Sequence, residues 1–406
     1  MCAKPDSIRF TMGKSGLLPQ EEMLELGKKQ KKLIIGLPKE NEVIESRVSL
    51  TPEAVELLVN NGHEVLIESN AGKAANYSDK DYSERGGFIL SDKKSIYQAE
   101  IILKVAPLTL EEIGLLRGQQ TIISSLLLIN QTEDYIKNLM AQKVTAIAFE
   151  NIKDEHDCYP VMRSMSAISG ITSILIAAEY LSNVRDGKGV LLGSVTGITP
   201  TEVVIIGAGT AAEFAVRAAY GLGAFVKVFD NSVNSLVELQ NNLGLRLHTS
   251  VFHPQVLAKA LKSADVLIGA RQSIENGPRF YVTEEMVKGM KKGSVIVDIS
   301  IATGGCIETS ECRTQLDPVY TKHNVIHYCI PNLPSHVART SSIALSNVFL
   351  PLLLQMAESG GIIQQLKQDI GLRHGVCIFN GILTNQFIGN YFNIPSKDID
   401  LLMAAF

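Results

Sequence analysis

The amino-acid sequence predicts an α/β chain built from two doubly wound, Rossmann-like units laid one after the other. Three observations carry this reading. From Leu33 onward, short runs rich in Ile and Val alternate with longer segments of helical period. The runs are continuously apolar rather than alternating, which marks strands covered on both faces, as in parallel sheets. A glycine fingerprint, Gly207-Ala-Gly209-Thr-Ala-Ala212, stands between one such run and a helical segment. Strand and helix alternating at this spacing argue for βαβ units.

In chain order, the first series of strands is Leu33–Leu37, Glu64–Ile67, Ile101–Val105, Thr121–Ile129 and Val144–Phe149. A long helical pattern follows from Ser164 to about Ser182. The second series is Val203–Ile206, Phe225–Phe229, Asp265–Ala270, Ser294–Ile299 and Val325–Ile330. Helical patterns at Ser341–Glu358 and around Asn380–Tyr391 close the chain. Local pattern leaves open whether these last helices pack on the second unit or return to the first. The polar stretch before Leu33, with a short surface helix expected over Gln20–Lys32, reads as an N-terminal extension.

Composition narrows the class. A chain of 406 residues, 46% hydrophobic and 20% charged, has room for about two domains with large cores. The net charge of −4 and the lack of long basic runs speak against a nucleic-acid or membrane partner. The densest basic cluster, Lys28, Lys29, Lys31 and Lys32, reads as a solvated linker. Residues 1–30 show no secretory signal. The apolar stretch Ile343–Met356 carries Ser346, Asn347, Pro351 and Gln355 and falls short of the roughly 20 apolar residues a bilayer span needs. The six cysteines form no CxxC pair, so no metal site is expected and free thiols in the cytoplasm are the natural reading.

The fingerprint is the strongest signal for a ligand. It follows the strand Val203–Ile206, precedes a helix over Ala211–Gly221, and is followed about 20 residues on by Asp230 at the end of the next strand. Gly207 allows the tight turn, and Gly209 lets the backbone approach a pyrophosphate. Ala212 keeps helix and strand close, while the free N–H groups from Thr210 and Ala211 onward receive the phosphates. Asp230 accepts the adenosine ribose hydroxyls and repels a 2′-phosphate. Because Asn231, Ser232 and Val233 follow with no arginine, NAD is expected over NADP. The bland alternative is a βαβ unit that binds nothing. Two later loops, Ser300–Gly305 and Pro331–Pro334, lie at the carboxyl ends of strands, where such sheets bind ligands.

From about Leu33 to 400 the chain resembles the alanine dehydrogenase and transhydrogenase α-subunit family. The resemblance rests on Gly36-Leu-Pro-Lys-Glu40, Glu45-Ser-Arg47-Val-Ser-Leu-Thr51-Pro52-Glu, Leu103-Lys104-Val105, Gly193–Pro200, Val297-Asp298 through Gly304-Gly305-Cys306, and Asn332-Leu-Pro334, recurring in order. It implies a cleft between two domains, with the C-terminal helices returning to the first. Residues 1–160 plus 339–406 would form a substrate domain around an NAD domain of 161–338. The implied activity is NAD-dependent, reversible oxidative deamination of L-alanine, or a similar small amino acid, to the keto acid and ammonia. A homo-oligomer, with a hexamer as the expected form, is also implied.

The resemblance assigns roles as well. Arg47 would pair with the substrate carboxylate and Lys104 would bind the keto oxygen or the carboxylate end; the bland readings are a surface charge and a snorkelling strand end. Asn332 and Met165 would line the substrate cleft, while Ser166, Asp298, Ile299 and Asn332 would lie near the cofactor. The chain also departs from the family. The family's histidine acid/base falls at Leu127, a nearby aromatic at Ser125, the aspartate before Gly-Gly-Cys at Ala302, and the Glu after Met-Ser at Ala167. Two explanations compete: a dehydrogenase with a relocated acid/base, His336 first and His327 second, or a catalytically silent NAD(H)-binding relative serving as sensor or assembly partner. The transhydrogenase role fits less well, since the position of that branch's aspartate reads Ser166.

Overall fold

A computed structural model of the chain describes residues 31–271 and 280–404. Most of the expected N-terminal extension, including all but the end of Gln20–Lys32, lies outside the described residues.

Fifteen strands among the described residues form two sheets. The first takes β1 (Ile34–Leu37), β2 (Glu64–Glu68), β3 (Phe88–Leu90), β4 (Ile101–Leu103), β5 (Thr121–Ser124) and β6 (Thr145–Ala148). The second takes β7 (Glu202–Ile206), β8 (Phe225–Phe229), β9 (His248–Ser250), β10 (Val266–Gly269), β11 (Val295–Asp298), β12 (Val319–Lys322) and β13 (Val325–Tyr328). Two late strands, β14 (Val376–Phe379) and β15 (Ile382–Leu383), join the first sheet beside β6. The orders are β3-β2-β1-β4-β5-β6-β14-β15 and β9-β8-β7-β10-β11-β13-β12. Pairing is parallel except at β14 and at β12. Both sheets reverse direction of growth beside their first strand, between β1 and β4 and between β7 and β10. That is the doubly wound switch point, and ligands bind outside the carboxyl ends of the strands there.

Burial explains why continuous apolar runs became strands. Every residue of β4, β5, β6, β10, β11 and β14 is buried, because helices cover both faces. Two long helices then knit the units together. Helix Pro160–Leu181 gives Val161 and Met165 to the first core and Ile174, Ala177 and Leu181 to the second. Helix Ala338–Glu358 buries Leu345, Phe349, Leu353 and Met356 in the first core. Both helices are long and apolar enough to cross a membrane by length and composition alone, yet about half of each apolar window is buried in the protein. The C-terminal segment therefore returns to the first sheet with a helix and two strands, the choice that local pattern left open.

Two expectations fail locally. The strand expected over Thr121–Ile129 ends at Ser124, and the chain turns sharply at Leu127, which adopts a left-handed backbone (φ 43°). The helix expected around Asn380–Tyr391 is instead the end of a β14–β15 hairpin followed by the shorter helix Gln386–Phe392.

Candidate functional site

A cavity of about 730 Å³ opens between the two sheets, and its walls come from loops that follow strand after strand. From the first sheet, the turns after β4, β5 and β6 supply Val105–Pro107, Ser125 with Leu127, and Phe149; the segment after β1 supplies Ile44, Glu45 and Arg47. From the second, β7 leads into Gly207–Ala211, β8 into Asp230, β10 into Ala270 and Arg271, β11 into Ile299 and Ser300, and β13 into Pro331 and Asn332. Helix Pro160–Leu181 crosses the floor with Met165, Ser166 and Ser169.

At the second-sheet end the backbone is shaped for a phosphate. Gly207 has φ 109°, and a Cβ there would stand 2.8 Å from the Ala270 carbonyl oxygen. A Cβ on Gly209 would meet no protein atom within 4 Å; it would occupy open cleft instead. Gly209 is also the N-cap of helix Thr210–Gly221, which has no side-chain cap, so its first-turn N–H groups remain available to an anion. The residues present therefore fit a dinucleotide pyrophosphate. Ala212 is fully buried behind this turn and does its work through packing, without lining the cavity.

A glycine outside the fingerprint makes that packing possible. A Cβ on Gly170 would sit 2.2 Å from the Ala211 carbonyl oxygen and 2.9 Å from the Ala215 nitrogen. Helices Pro160–Leu181 and Thr210–Gly221 thus touch backbone to backbone, and the phosphate-facing turn is held by that contact. Gly170→Val should destabilise the protein by about 1–3 kcal/mol through overpacking and weaken NADH binding by displacing the turn. Denaturant unfolding and NADH fluorescence titration check this; unchanged affinity in a destabilised variant would separate the helix contact from the site.

Asp230 is buried at the end of β8, on the cavity wall. Its Oδ2 accepts the Ala208 N–H at 3.0 Å and its Oδ1 accepts the Ser232 N–H at 2.8 Å. Sequence reading found no arginine beside it, but folding brings one from β10: Arg271 Nη1 donates to Oδ2 at 2.5 Å. The β8-β7-β10 order of the sheet makes this contact, so nothing in the local sequence announces it.

At the first-sheet end the main feature is a buried pair. Arg47 and Glu45 bond twice through side chains, Nε to Oε1 at 2.8 Å and Nη2 to Oε2 at 2.6 Å, and the Arg47 N–H also donates to Oε1. Burial opposes charge on Glu45, but the Arg47 guanidinium outweighs it and holds the carboxyl below its usual range. Asn332, left-handed at φ 68°, donates to the Ile44 carbonyl and to Glu45 Oε2, tying the two halves of the cleft together. The loop carrying Arg47 has no secondary structure of its own. Hydroxyls replace the missing ladder: Ser335, Ser342 and Ser346 accept the N–H groups of Ser46, Val48 and Thr51.

Arg47, Asn332, Met165, Ser166, Gly207, Gly209, Thr210, Ala211, Asp230 and Ile299 all reach the cavity wall. Lys104, His336 and Asp298 do not. Lys104 is 4% exposed, beneath the Val105–Pro107 turn, with its ammonium 3.1 Å from Glu40 Oε2 and 3.6 Å from Glu112 Oε2. It is committed to two carboxylates, as a strand-end lysine pointing away from the cleft. His336 is exposed, with the Tyr328 hydroxyl 3.2 Å from its Nδ1, and partial desolvation lowers its pKa. His327 is fully buried between the Thr309 hydroxyl and the Val325 carbonyl, and burial pushes its pKa down to about 4. Asp298 is fully buried, accepts from Ser300 and Cys306, and shapes the loop after β11 from behind. Burial raises its pKa, so it too has a structural setting.

Among the described residues lining the cavity there is no histidine, lysine, cysteine or tyrosine; the charged ones are Glu45, Arg47, Asp230 and Arg271, paired two by two. Leu127 projects into the cleft, 45% exposed, with its N–H held by Glu150 Oε1 at 2.9 Å.

The Lys104 cluster has a consequence for stability. One ammonium serves two buried carboxylates, and Glu112 has Lys93 and the Thr109 N–H besides. Glu40 is left under-compensated, and burial, against the pull of Lys104, raises its pKa from 4.5 to about 7. The folded protein then holds a proton that the unfolded chain releases, so this group's contribution declines as pH rises from 4.5 to about 7. Measured by denaturant unfolding across that window, Glu40→Gln should gain on wild type as pH rises, then run parallel to it above. A constant difference would refute the assignment.

Fold and site together define a two-sheet α/β protein whose ligand cleft joins two switch points. The chain belongs to the alanine dehydrogenase/PNT family: the family's N-terminal domain model matches residues 36–169 and its C-terminal domain model residues 173–386. It is 37% identical to an alanine dehydrogenase of Staphylococcus saprophyticus over 369 residues, covering 91% of this chain and 99% of that protein. It is 38% identical to an alanine dehydrogenase of Bacillus subtilis, covering 90% of this chain and 97% of that protein. Among solved structures, an L-alanine dehydrogenase superposes with a TM-score of 0.83 at 34% identity, over 89% of this chain and 99% of that one. A transhydrogenase from Sinorhizobium meliloti, at 24% identity and a TM-score of 0.70, shares the fold over 86% of this chain and 98% of that one.

Proposed function

We propose that this chain is an NAD(H)-dependent oxidoreductase of the alanine dehydrogenase type, interconverting L-alanine, or a similarly small amino acid, with its 2-keto acid and ammonia. The observation that carries this is one cleft that joins the Gly207–Ala212 turn and Asp230 to Arg47 and Asn332. On this reading the unit around the second sheet holds the dinucleotide and the unit around the first holds the substrate. A bound nicotinamide supplies or accepts the hydride. Arg47 faces the substrate carboxylate with Nη1, which Glu45 leaves free and which donates to the Met165 thioether at 3.1 Å, and Asn332 keeps Glu45 and Arg47 in place from the opposite side. Phe149, Val161, Met165 and Leu127 keep the reacting end apolar. Among the described residues the wall carries no histidine or lysine, so on this reading protons exchange with water and turnover is slow.

That same wall favours a second reading, a silent dinucleotide-binding relative acting as sensor or assembly partner. One experiment separates them. NADH oxidation is followed with pyruvate and ammonium, and NAD reduction with L-alanine, while NADH fluorescence reports binding in the same samples. Keto-acid-dependent turnover above the no-substrate rate supports the dehydrogenase; binding without turnover supports the silent relative.

The five described cysteines are unpaired, which supports a reducing, cytoplasmic setting. Ile171 and Leu175, one helical turn apart, are 41% and 57% exposed and support self-association, with a hexamer as the expected form. Light scattering on the purified protein tests it.

A further inference from the structure

Arg271 changes the chemistry of the adenosine end. A carboxylate offers about four acceptor positions. On Asp230, three are taken by the Ala208 N–H, the Ser232 N–H and Arg271. A ribose diol that donates from both hydroxyls needs two, so the guanidinium stands where one hydroxyl would bind. It is not clamped from every side. Its Nε donates to the Tyr281 hydroxyl at 3.1 Å, and the guanidinium lies 5.3 Å from the Tyr281 ring centre. Tyr281 stacks on Phe252, whose centre is 4.4 Å away, and Phe252 on Phe229. The arginine thus rests on an aromatic platform while its Nη1 side faces Asp230 and the cavity.

The usual logic of such sites is an acid for a free 2′-hydroxyl and an arginine for a 2′-phosphate. This site carries both. The positive charge cancels the field by which Asp230 alone would repel a phosphate, and the planar fork matches phosphate oxygens. We propose that Arg271 provides a position for a 2′-phosphate at the adenosine end, so that the chain takes NADP(H) as well as NAD(H). This rests on the reading of the Gly207–Ala212 turn as a dinucleotide site. With NAD(H), Arg271 yields one acceptor position on Asp230 to the ribose and stays over Tyr281. With NADP(H), it turns from Asp230 to the phosphate.

Calorimetric titration of the whole protein with NADH and with NADPH tests the proposal, using wild type, Arg271→Met and Arg271→Lys. The methionine keeps an apolar stem over Tyr281, and Asp230 keeps its two backbone donors, so the turn is preserved; circular dichroism melting confirms the fold of each variant. Wild type should bind both dinucleotides. Arg271→Met should weaken NADPH about 10- to 100-fold, the loss of a charged hydrogen-bonded contact, and should not weaken NADH, because the guanidinium no longer competes for Asp230. Arg271→Lys should recover part of the NADPH affinity, and only NADPH binding should fall steeply with salt. NADH binding without NADPH binding, or equal losses for both in Arg271→Met, overturns the proposal while leaving the dinucleotide site intact. Failure of wild type to bind either one overturns both.

Discussion

Replacing Arg47 with alanine should remove keto-acid-dependent turnover, lowering kcat/KM for pyruvate by about a hundredfold or more, while NADH affinity stays as it was. A charged hydrogen-bonded contact contributes about 1.5–3 kcal/mol, and one between two ions in a largely enclosed cleft lies at the upper end. The variant carries a second effect that must be kept apart from the first. Arg47 and Glu45 form a buried pair, so removing one partner leaves a buried carboxylate with only the Arg47 N–H and Asn332 to hold it. Breaking a buried pair costs about 3–5 kcal/mol of stability. Pairing Glu45→Gln with Arg47→Met takes out both charges at similar volume and should return most of the stability without returning activity. Arg47→Lys should also stay poor, because a point charge does not replace the fork. Full pyruvate turnover in folded Arg47→Ala would move the carboxylate site elsewhere in the cleft.

The sequence made the frame legible and the side-chain directions only partly so. Continuous apolarity reports burial on both faces, and the buried strands β4, β5, β6, β10 and β11 were all visible that way. Strands β3, β9 and β12 were not: Phe88–Leu90, His248–Ser250 and Val319–Lys322 are part-exposed edges or near-edges, with mixed or polar composition. The tight turn at Gly207 and the uncapped helix start at Gly209 were legible because their geometry is local. Arg271 was invisible because its partner, Asp230, is brought to it by the β8-β7-β10 strand order rather than by spacing. Lys104 shows the opposite error. A lysine just past a strand end beside a predicted cleft reads as a ligand, yet the turn that follows β4 decides which side chains face the cleft. Val105 and Ala106 reach the cavity wall, and Lys104 turns inward to Glu40 and Glu112. No periodicity reveals which of two adjacent residues faces the ligand; the buried acids Glu40 and Glu112 decide it.

Placing a histidine at position 127 should raise keto-acid-dependent turnover by about 10²–10⁴, the range for a well-placed general acid/base. The position suits the experiment. Leu127 already lines the cleft and is exposed, and histidine is of similar volume. Its left-handed backbone is easier for histidine than for leucine, and Glu150 holds its N–H whichever side chain is present. Folding should therefore survive Leu127→His, and the gain should appear in kcat more than in NADH affinity. The new group also gives a signature that a structural effect would not. The rate should acquire a pH dependence near the ordinary titration range of histidine. Adding Ala302→Asp, on the facing loop after β11, should raise the rate further, since Ala302 also reaches the cavity. If Leu127→His binds NADH, folds normally and leaves turnover flat, the missing proton carrier is not what limits this cleft. The apolar wall around Arg47 would then be built for a different substrate, or for binding alone.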